Sequence, residues 1–224
     1  MIDPQAPLPL KTWGGRRHGA GRKRSLPRPG VPHRGRSDLA ARHPVHVTIR
    51  LRAGLPTLRA HKVAGLVRRC LAAAAERFEA RLIHYSLQRE HLHLLMEAAD
   101  ARALARAVKG LSIRIAKAMN RLTGARGQVV PDRYDARILR SPLEVKRALV
   151  YVLQNARKHL GKQGVRIAWA VDPFSSAATF DGWSAPVPTA TETVPLLPHA
   201  RTWLLRVGWR RHGLISPRDA PALP

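Results

Sequence analysis

The stretch Glu90-His91-Leu92-His93-Leu94-Leu95-Met96 decides the fold and the chemistry expected of this chain. A short apolar run of this kind predicts a β-strand, and side chains at positions i and i+2 of a strand point to the same face. The imidazoles of His91 and His93 should therefore project side by side, while Leu92 points the other way. Two neutral imidazoles in that arrangement are suited to bind a divalent metal ion.

The neighbouring sequence predicts a mixed fold around this strand. Val45, Val47 and Ile49 alternate with polar residues, which is typical of a half-buried strand. Ser141-Pro142-Leu143-Glu144 has the residues of a capping box that begins a helix. The patterns predict strands at about 45–51, 78–87, 90–96 and 133–139, and helices at about 58–77, 101–122 and 142–160. This order predicts an α+β fold, a ferredoxin-like antiparallel sheet with helices on one face.

Composition divides the chain into three parts. Residues 1–42 are rich in Arg, Gly and Pro and poor in apolar residues, which predicts a basic arm that is disordered until it meets a polyanion, with a solvated solubility tail as the alternative. Residues 43–164 carry the predicted strands and helices and should form the catalytic domain. Residues 165–224 should be a loosely structured extension of unknown role, although Phe174, Phe180 and Trp183 could pack back onto the domain. The arm residues expected to contact DNA are Arg16, Arg17, Arg22 and Lys23.

The charge of the chain points to a polyanionic partner. Lys and Arg number 40 against 14 Asp and Glu, for a formal net charge of +26. DNA or RNA is the first candidate partner and an anionic membrane the second. There is no run of 18 apolar residues that could span a membrane, no signal-peptide core, and a single cysteine, Cys70, which fits a reducing compartment. We expect a cytoplasmic, nucleoid-associated protein without a membrane partner.

A tyrosine and an asparagine on the last predicted helix complete a candidate site. Tyr151 and Asn155 are four residues apart, so they lie on one helix face. If that face meets the strand of His91 and His93, the Asn155 amide would complete an open metal site with three protein ligands. The Tyr151 phenol would then be placed to attack a phosphorus atom and form a reversible phosphotyrosine ester.

Each of these signals has an ordinary structural explanation when it stands alone. Histidines that flank a leucine are often surface residues of an exposed strand, and a tyrosine on an amphipathic helix is usually part of the core. Of the other two tyrosines, Tyr85 alternates with apolar residues and is expected in the core or on the sheet face. Tyr134 is the second choice of nucleophile, because only Tyr151 has an asparagine one turn later.

Three motifs, in this order, resemble the single-tyrosine HUH transposases, and among them the REP-associated tyrosine transposases. They are Glu90-His-Leu-His-Leu-Leu95, Gln128-Val-Val-Pro-Asp-Arg-Tyr-Asp-Ala-Arg-Ile-Leu139 and Ala148-Leu-Val-Tyr-Val-Leu-Gln-Asn-Ala-Arg-Lys-His159. The similarity runs over about 44–160. The chain departs from the family pattern at Ala156, where many members have proline, and at residues 87–90, where many have a Pro-Asn-His type of turn.

The resemblance implies the HUH endonuclease fold and a defined enzyme activity. His91, His93 and Asn155 would bind Mg²⁺ or Mn²⁺, and Tyr151 would cleave single-stranded DNA at hairpins of palindromic repeats. The products would be a 5′-phosphotyrosine and a free 3′-OH that can rejoin the strand. The implied partner is single-stranded DNA with hairpin structure, without a small-molecule substrate, and a homodimer is compatible with the family.

Further residues around the site are candidates for DNA contact, and two other functions stay open. The candidates are Arg133, Tyr134, Arg137, Arg157 and Lys158, with an ordinary solvated face as the alternative for each basic residue. A non-catalytic nucleic-acid-binding protein that retains the fold would explain the charge equally well. A metal-dependent nuclease that uses water would need the histidines but not Tyr151.

Overall fold

The computed structural model describes residues 38–162, 171–187, 197–219 and 221, with the side chains of 158–162 left undescribed. Most of the predicted arm, with Arg16, Arg17, Arg22 and Lys23, lies outside the described residues. The strands are β1 (Val45–Arg50), β2 (Glu76–Arg77), β3 (Ala80–Leu87), β4 (His91–Ala98) and β5 (Asp135–Ile138). The α-helices are α1 (His61–Ala73), α2 (Ala101–Thr123), α3 (Pro142–Lys162) and α4 (Trp203–Arg206), and two short 3-10 helices span Ala177–Thr179 and Gly208–His212.

The five strands form one antiparallel sheet in the order β2-β3-β4-β1-β5. The predicted α+β class and antiparallel sheet are confirmed, and the helices and strands lie within a few residues of their expected positions. The short strand β2 was not predicted. It forms because the chain reverses at Phe78 and Glu79, so that Arg77 pairs with Ala80.

The two faces of the sheet are covered by different helices, which corrects the expectation that the helices share one face. Val47 of β1 and Leu94 of β4 pack with α1 and α2. Ile83 of β3 and Leu95 of β4 pack on the other side, against Leu149 and neighbouring residues of α3. Because β3 and β4 carry apolar residues on both faces, each face needs a covering layer to exclude water.

The C-terminal extension packs against α3 in its described parts, which corrects the expectation of a loose segment there. Trp209 and Ile215 are 1% and 0% exposed and lie in the same apolar cluster as α3. The predicted packing of Phe174, Phe180 and Trp183 is confirmed. The extension therefore contributes to the core on the α3 side of the sheet.

The start of α3 is fixed by the predicted capping box. The amide of Glu144 donates to Ser141 Oγ at 3.3 Å, and the Glu144 carboxylate accepts from the Ser141 amide at 3.1 Å. The same carboxylate accepts from the Arg140 amide at 2.7 Å. These contacts satisfy amide groups that a helix terminus otherwise leaves without partners, and they set the register of the helix that carries Tyr151.

Within the described residues, no helix combines the length and apolar character needed to cross a membrane.

Candidate active site

The two histidines of β4 lie side by side, as the strand periodicity predicts. The ring centroids of His91 and His93 are 4.9 Å apart, with the ring planes at 86°. His93 is 4% exposed, whereas His91 is half-buried. The strand β4 lies between β3 and β1, so the pair sits within the sheet, on the face that α3 covers.

Tyr151 of α3 reaches the histidine pair. Its ring centroid lies 5.0 Å from that of His93 in an edge-to-face arrangement. Tyr85 is 0% exposed in the apolar core on the opposite face of the sheet, and Tyr134 packs against that same core. The ring contact with His93 comes from the face of the sheet that α3 covers, where Tyr151 packs with the apolar residues of that helix.

The site also includes two residues of β1, which the sequence analysis did not single out. His46 Nε2 and Thr48 Oγ1 each lie 3.1 Å from His93 Nδ1. The His46 ring is also 5.5 Å from the ring of Tyr151. The alternation of β1 predicts that both side chains point away from the face of Val45 and Val47. Their position in the site depends on the pairing of β1 with β4, which puts Thr48 next to His93 across the strands.

His46 is uncharged at neutral pH. Burial lowers its pKa to about 4, and this outweighs the opposing effect of the Asp135 carboxylate. A neutral imidazole has one nitrogen that donates and one that accepts. His46 and Thr48 can therefore hold Nδ1 of His93 by hydrogen bonds, which leaves Nε2 as the nitrogen that could bind a metal ion.

Asn155 lies one helical turn beyond Tyr151 and is fully buried. Apart from its contact with Tyr151, neither atom of its amide has a hydrogen-bond partner among the described residues. A buried amide without partners is unfavourable unless some group satisfies it. An oxygen of this kind is available as a ligand for a hard cation.

His91 and His93 can form a three-ligand site for a divalent ion only if Asn155 is the third ligand. In the described part of the chain, no three side chains of His, Cys, Asp or Glu cluster so as to hold a metal ion. Two imidazoles with one amide oxygen form a mixed set, and oxygen ligands suit Mg²⁺ and Mn²⁺ whereas imidazole suits transition metals. The residues present therefore fit Mn²⁺ better than Mg²⁺, with the remaining positions left to water or substrate oxygens.

The Tyr151 phenol keeps its proton at neutral pH. Burial raises the pKa of Tyr151, and the nearby Asn155 side chain opposes this rise only in part. Any reaction through this oxygen must remove the proton as the new bond forms.

The site lies in a cleft of about 950 Å³ between the sheet, α3 and the C-terminal extension. His46, Thr48, His93 and Tyr151 line it together with Asp135, Arg137, Leu139, Leu143, Glu144, Lys146, Arg147, Ala148, Val150, His212 and Asp219. Its Arg and Lys residues and its carboxylates are equal in number. The extension supplies His212 and Asp219, and Lys146 Nζ donates to the His212 carbonyl oxygen at 2.5 Å.

Of the described residues near the site that were predicted to contact DNA, one lines this cleft. Arg137 lines it and lies 3.8 Å from Glu144. Arg133, Tyr134 and Arg157 are outside its lining, and the Lys158 side chain lies outside the described residues.

Comparisons with known proteins show similarity of fold. No protein-family model matches the chain, and no curated protein sequence matches it. A REP-associated tyrosine transposase bound to a REP hairpin is similar in structure, with a TM-score of 0.50 and 13% identity over 65% of this chain and 82% of that one. The fold of this chain is thus the fold of that transposase.

Two further structures resemble the chain more weakly, with TM-scores too low to support an argument. A protein from Deinococcus radiodurans R1 described as a transposase has a TM-score of 0.38 and 17% identity, over 60% of this chain and 100% of that one. A bacterial tRNA-histidine guanylyltransferase-like protein in complex with ATP has a TM-score of 0.43 and 15% identity, over 55% of this chain and 62% of that one.

Proposed function

We propose that this protein is a transposase-type enzyme that cleaves and rejoins single-stranded DNA at hairpin sites through Tyr151. The observation that carries the proposal is the contact of the Tyr151 ring with His93 at 5.0 Å, inside a cleft large enough for a nucleotide segment. The similar fold of a REP-associated tyrosine transposase, whose structure contains a REP hairpin, supports hairpin DNA as the substrate.

The proposed reaction is a transesterification. The Tyr151 oxygen forms a bond to the phosphorus of a backbone phosphodiester and loses its proton, while the bond from phosphorus to the 3′ oxygen breaks and that oxygen is protonated. The products are a 5′-phosphotyrosine and a free 3′-OH. Attack by a 3′-OH on the phosphotyrosine reverses the step, so strands are rejoined without another energy source.

His91, His93 and Asn155 would hold Mn²⁺ or Mg²⁺ beside the phenol. When bound, a divalent ion supplies Lewis-acid stabilisation of a phosphate oxygen and orients the phosphate. His46 and Thr48 fix the ring of His93 through its Nδ1 atom, so the imidazole does not have to reorient when substrate arrives.

The chain's own cations would position the strand in the cleft. Arg137, Lys146 and Arg147 line it and are suited to contact phosphate oxygens. Since an equal number of carboxylates shares the lining, the cleft by itself is not strongly basic. The large net charge of the whole chain would then provide most of the general attraction to DNA.

The test uses Tyr151→Phe on end-labelled single-stranded DNA with a hairpin, in the presence of Mn²⁺. The wild-type protein should produce a labelled band, shifted by the mass of the protein, that survives denaturing electrophoresis. The variant should give neither this band nor cleavage, because the attacking oxygen is missing. Its DNA affinity should stay within about twofold, since phosphate charge dominates binding.

Tyr134→Phe is the matched control, because it removes a phenol on the other side of the sheet and should retain the covalent band. Nicking that persists in Tyr151→Phe would contradict the tyrosine mechanism and favour a nuclease that uses water. Binding without nicking or adduct in the wild-type protein, across a series of hairpins, would favour the non-catalytic nucleic-acid-binding function.

A further inference from the structure

A second groove lies on the opposite side of the sheet from Tyr151. It has a volume of about 380 Å³ and is formed by the end of α1, the turn between β2 and β3, and one face of α2. We call it the α2 groove. Its lining consists of Ala74, Arg77, Phe78, Ala107, Gly110, Leu111, Ile113, Arg114 and Lys117.

Phe78 lies in the turn between β2 and β3, where the backbone conformation is unfavourable for its side chain. Phe78 and Glu79 both have positive φ angles, 57° and 58°, in the left-handed region that bulky side chains rarely adopt. Hairpin turns with this backbone favour Asn-Gly or Asp-Gly. The phenylalanine is also 46% exposed, so burial of its ring gives little compensation for the strain. Unfavoured backbone conformations of this kind cluster at binding and catalytic sites.

The ring of Phe78 packs on α2 at Gly110, a position without a side chain. A Cβ added at Gly110 would approach the ring to 3.4 Å. The guanidinium groups of Arg77 and Arg106 are each 5.9 Å from the ring centroid. Proteins that bind single-stranded nucleic acids combine an exposed aromatic ring, on which a base stacks, with nearby cations that contact the phosphates.

The α2 groove is basic, in contrast to the cleft of Tyr151. Arg77, Arg114 and Lys117 line it, and no carboxylate does. These three residues have no ion-pair partner in the part of the chain that the structure describes, whereas the adjacent Arg106 lies 3.7 Å from Glu79. The charge of the groove therefore selects an anionic ligand.

We propose that the α2 groove binds single-stranded nucleic acid, with an unpaired base stacked on Phe78 and backbone phosphates at Arg77, Arg114 and Lys117. The ring supplies a flat apolar surface that accepts any base, and the cations supply contacts independent of sequence. This site is distinct from the cleft of Tyr151 and does not require that Tyr151 form a covalent bond. The α2 groove would bind a segment of the DNA strand that is distant from the phosphodiester cleaved at Tyr151.

The experiment measures binding of a fluorescent single-stranded oligonucleotide by anisotropy, without divalent metal so that the strand stays intact. The decisive variant is Phe78→Asn combined with Glu79→Gly, which fits the backbone of the turn and removes the ring. Its melting temperature should equal or exceed that of the wild-type protein. Its affinity should fall by about fivefold or more, the lower end of the effect of losing an aromatic ring that stacks on a base.

Matched variants separate stacking from other roles of the groove. Phe78→Trp should retain affinity, because it keeps an aromatic ring. Val207→Ala removes an apolar side chain that is 43% exposed and lies in the lining of neither groove, so it should change affinity by less than about twofold. Replacing both Arg114 and Lys117 with alanine should reduce the slope of log affinity against log salt by about 1.4, or about 0.7 per phosphate contact of a single strand.

Affinity of the Asn-Gly variant within twofold of wild type would overturn the proposal. An equal loss in Val207→Ala would also overturn it, because a side chain outside the groove would then contribute as much to binding as the Phe78 ring. If the Asn-Gly variant lost binding to anionic lipid vesicles but kept its DNA affinity, the proposal would be overturned in favour of a membrane contact. The Tyr151 adduct assay on the same variants is independent, so failure of the groove and failure of the tyrosine mechanism are distinguishable.

Discussion

At the scale of single residues, the site depends on how the His93 ring is held. An imidazole can bind a metal ion through either nitrogen, and a hydrogen bond to one nitrogen selects the other. Here Nδ1 of His93 lies 3.1 Å from both His46 Nε2 and Thr48 Oγ1. Burial keeps His46 uncharged, with a pKa of about 4, so it does not place a positive charge beside the His93 ring.

We expect His46→Ala to weaken Mn²⁺ binding and nicking by about 10- to 100-fold, the usual range for partners of a metal-binding histidine. The ring of His93 would lose one of its two holding contacts. The measurement is the Mn²⁺ dissociation constant, obtained from the electron paramagnetic resonance signal of free Mn²⁺, together with the nicking rate.

Thr48→Ser is the matched control, because it keeps the hydroxyl group near His93 and should change Mn²⁺ affinity by about threefold or less. Unchanged Mn²⁺ affinity in a folded His46→Ala protein would show that His46 does not position a metal ligand.

At the scale of elements, a C-terminal segment extends the sheet beside β3. The Leu87 amide donates to the Phe174 carbonyl at 2.8 Å, and the Ser176 amide donates to the Tyr85 carbonyl at 3.0 Å. His84 Nδ1 lies 3.1 Å from Ser176 Oγ, and its ring packs edge-on against Phe180 at 5.4 Å. This segment occupies the edge of β3 beyond the short strand β2, so the edge is not left open for another chain.

His84 makes this junction sensitive to acid. Burial lowers its pKa from 6.5 to about 4, despite the opposing Asp181 carboxylate. Between these two values the unfolded chain binds a proton at His84 and the folded protein does not. The free energy of unfolding should therefore fall as the pH is lowered from about 6.5 to about 4. Urea unfolding at a series of pH values measures this dependence.

His84→Gln should flatten part of this pH dependence, because its amide can bond to Ser176 but does not titrate. Some dependence should persist, since His46 has a pKa lowered in the same direction. An identical pH profile in the variant would exclude His84 as a source of the acid sensitivity.

At the scale of the whole molecule, the C-terminal extension completes the core that supports the site. Trp209 is 1% exposed and belongs to the cluster that includes Leu149 and Leu153 of α3. Glu97 of β4 accepts hydrogen bonds from the amide and hydroxyl groups of Thr202, at 2.8 and 2.7 Å. Without the extension, the outer side of α3 and one wall of the cleft would face water.

We expect Trp209→Ala to lower the free energy of unfolding by about 3–5 kcal/mol, because it leaves a large cavity in this core. Trp203→Ala is the matched control: Trp203 is 48% exposed, so its loss should cost about 1 kcal/mol or less. Chemical denaturation measures both. Equal effects of the two substitutions would contradict the assignment of the extension to the core.

Much of the fold could be predicted from the sequence, because local patterns report it directly. Alternation in β1, the single apolar face of α2, the apolar residues of β4, and the capping box at Ser141 and Glu144 are properties of short segments. The placement of His91 beside His93 also follows from strand geometry alone. Which helix covers which face could not be predicted, since the alternating faces of β3 and β4 are both apolar and either one could have met α3.

The class of fold, the excess of positive charge, the pairing of His91 with His93, and the helical turn between Tyr151 and Asn155 all follow from the sequence alone. These depend on covalent order and on the 2.0 and 3.6 residue periods of strands and helices. Three features depend instead on how the elements pack: β1 brings His46 and Thr48 to His93, Tyr134 lies on the other side of the sheet, and the C-terminal extension forms one wall of the cleft. Those contacts join residues far apart in sequence. They depend on the burial of apolar surface on both faces of one sheet, and a pattern within a short segment cannot predict them.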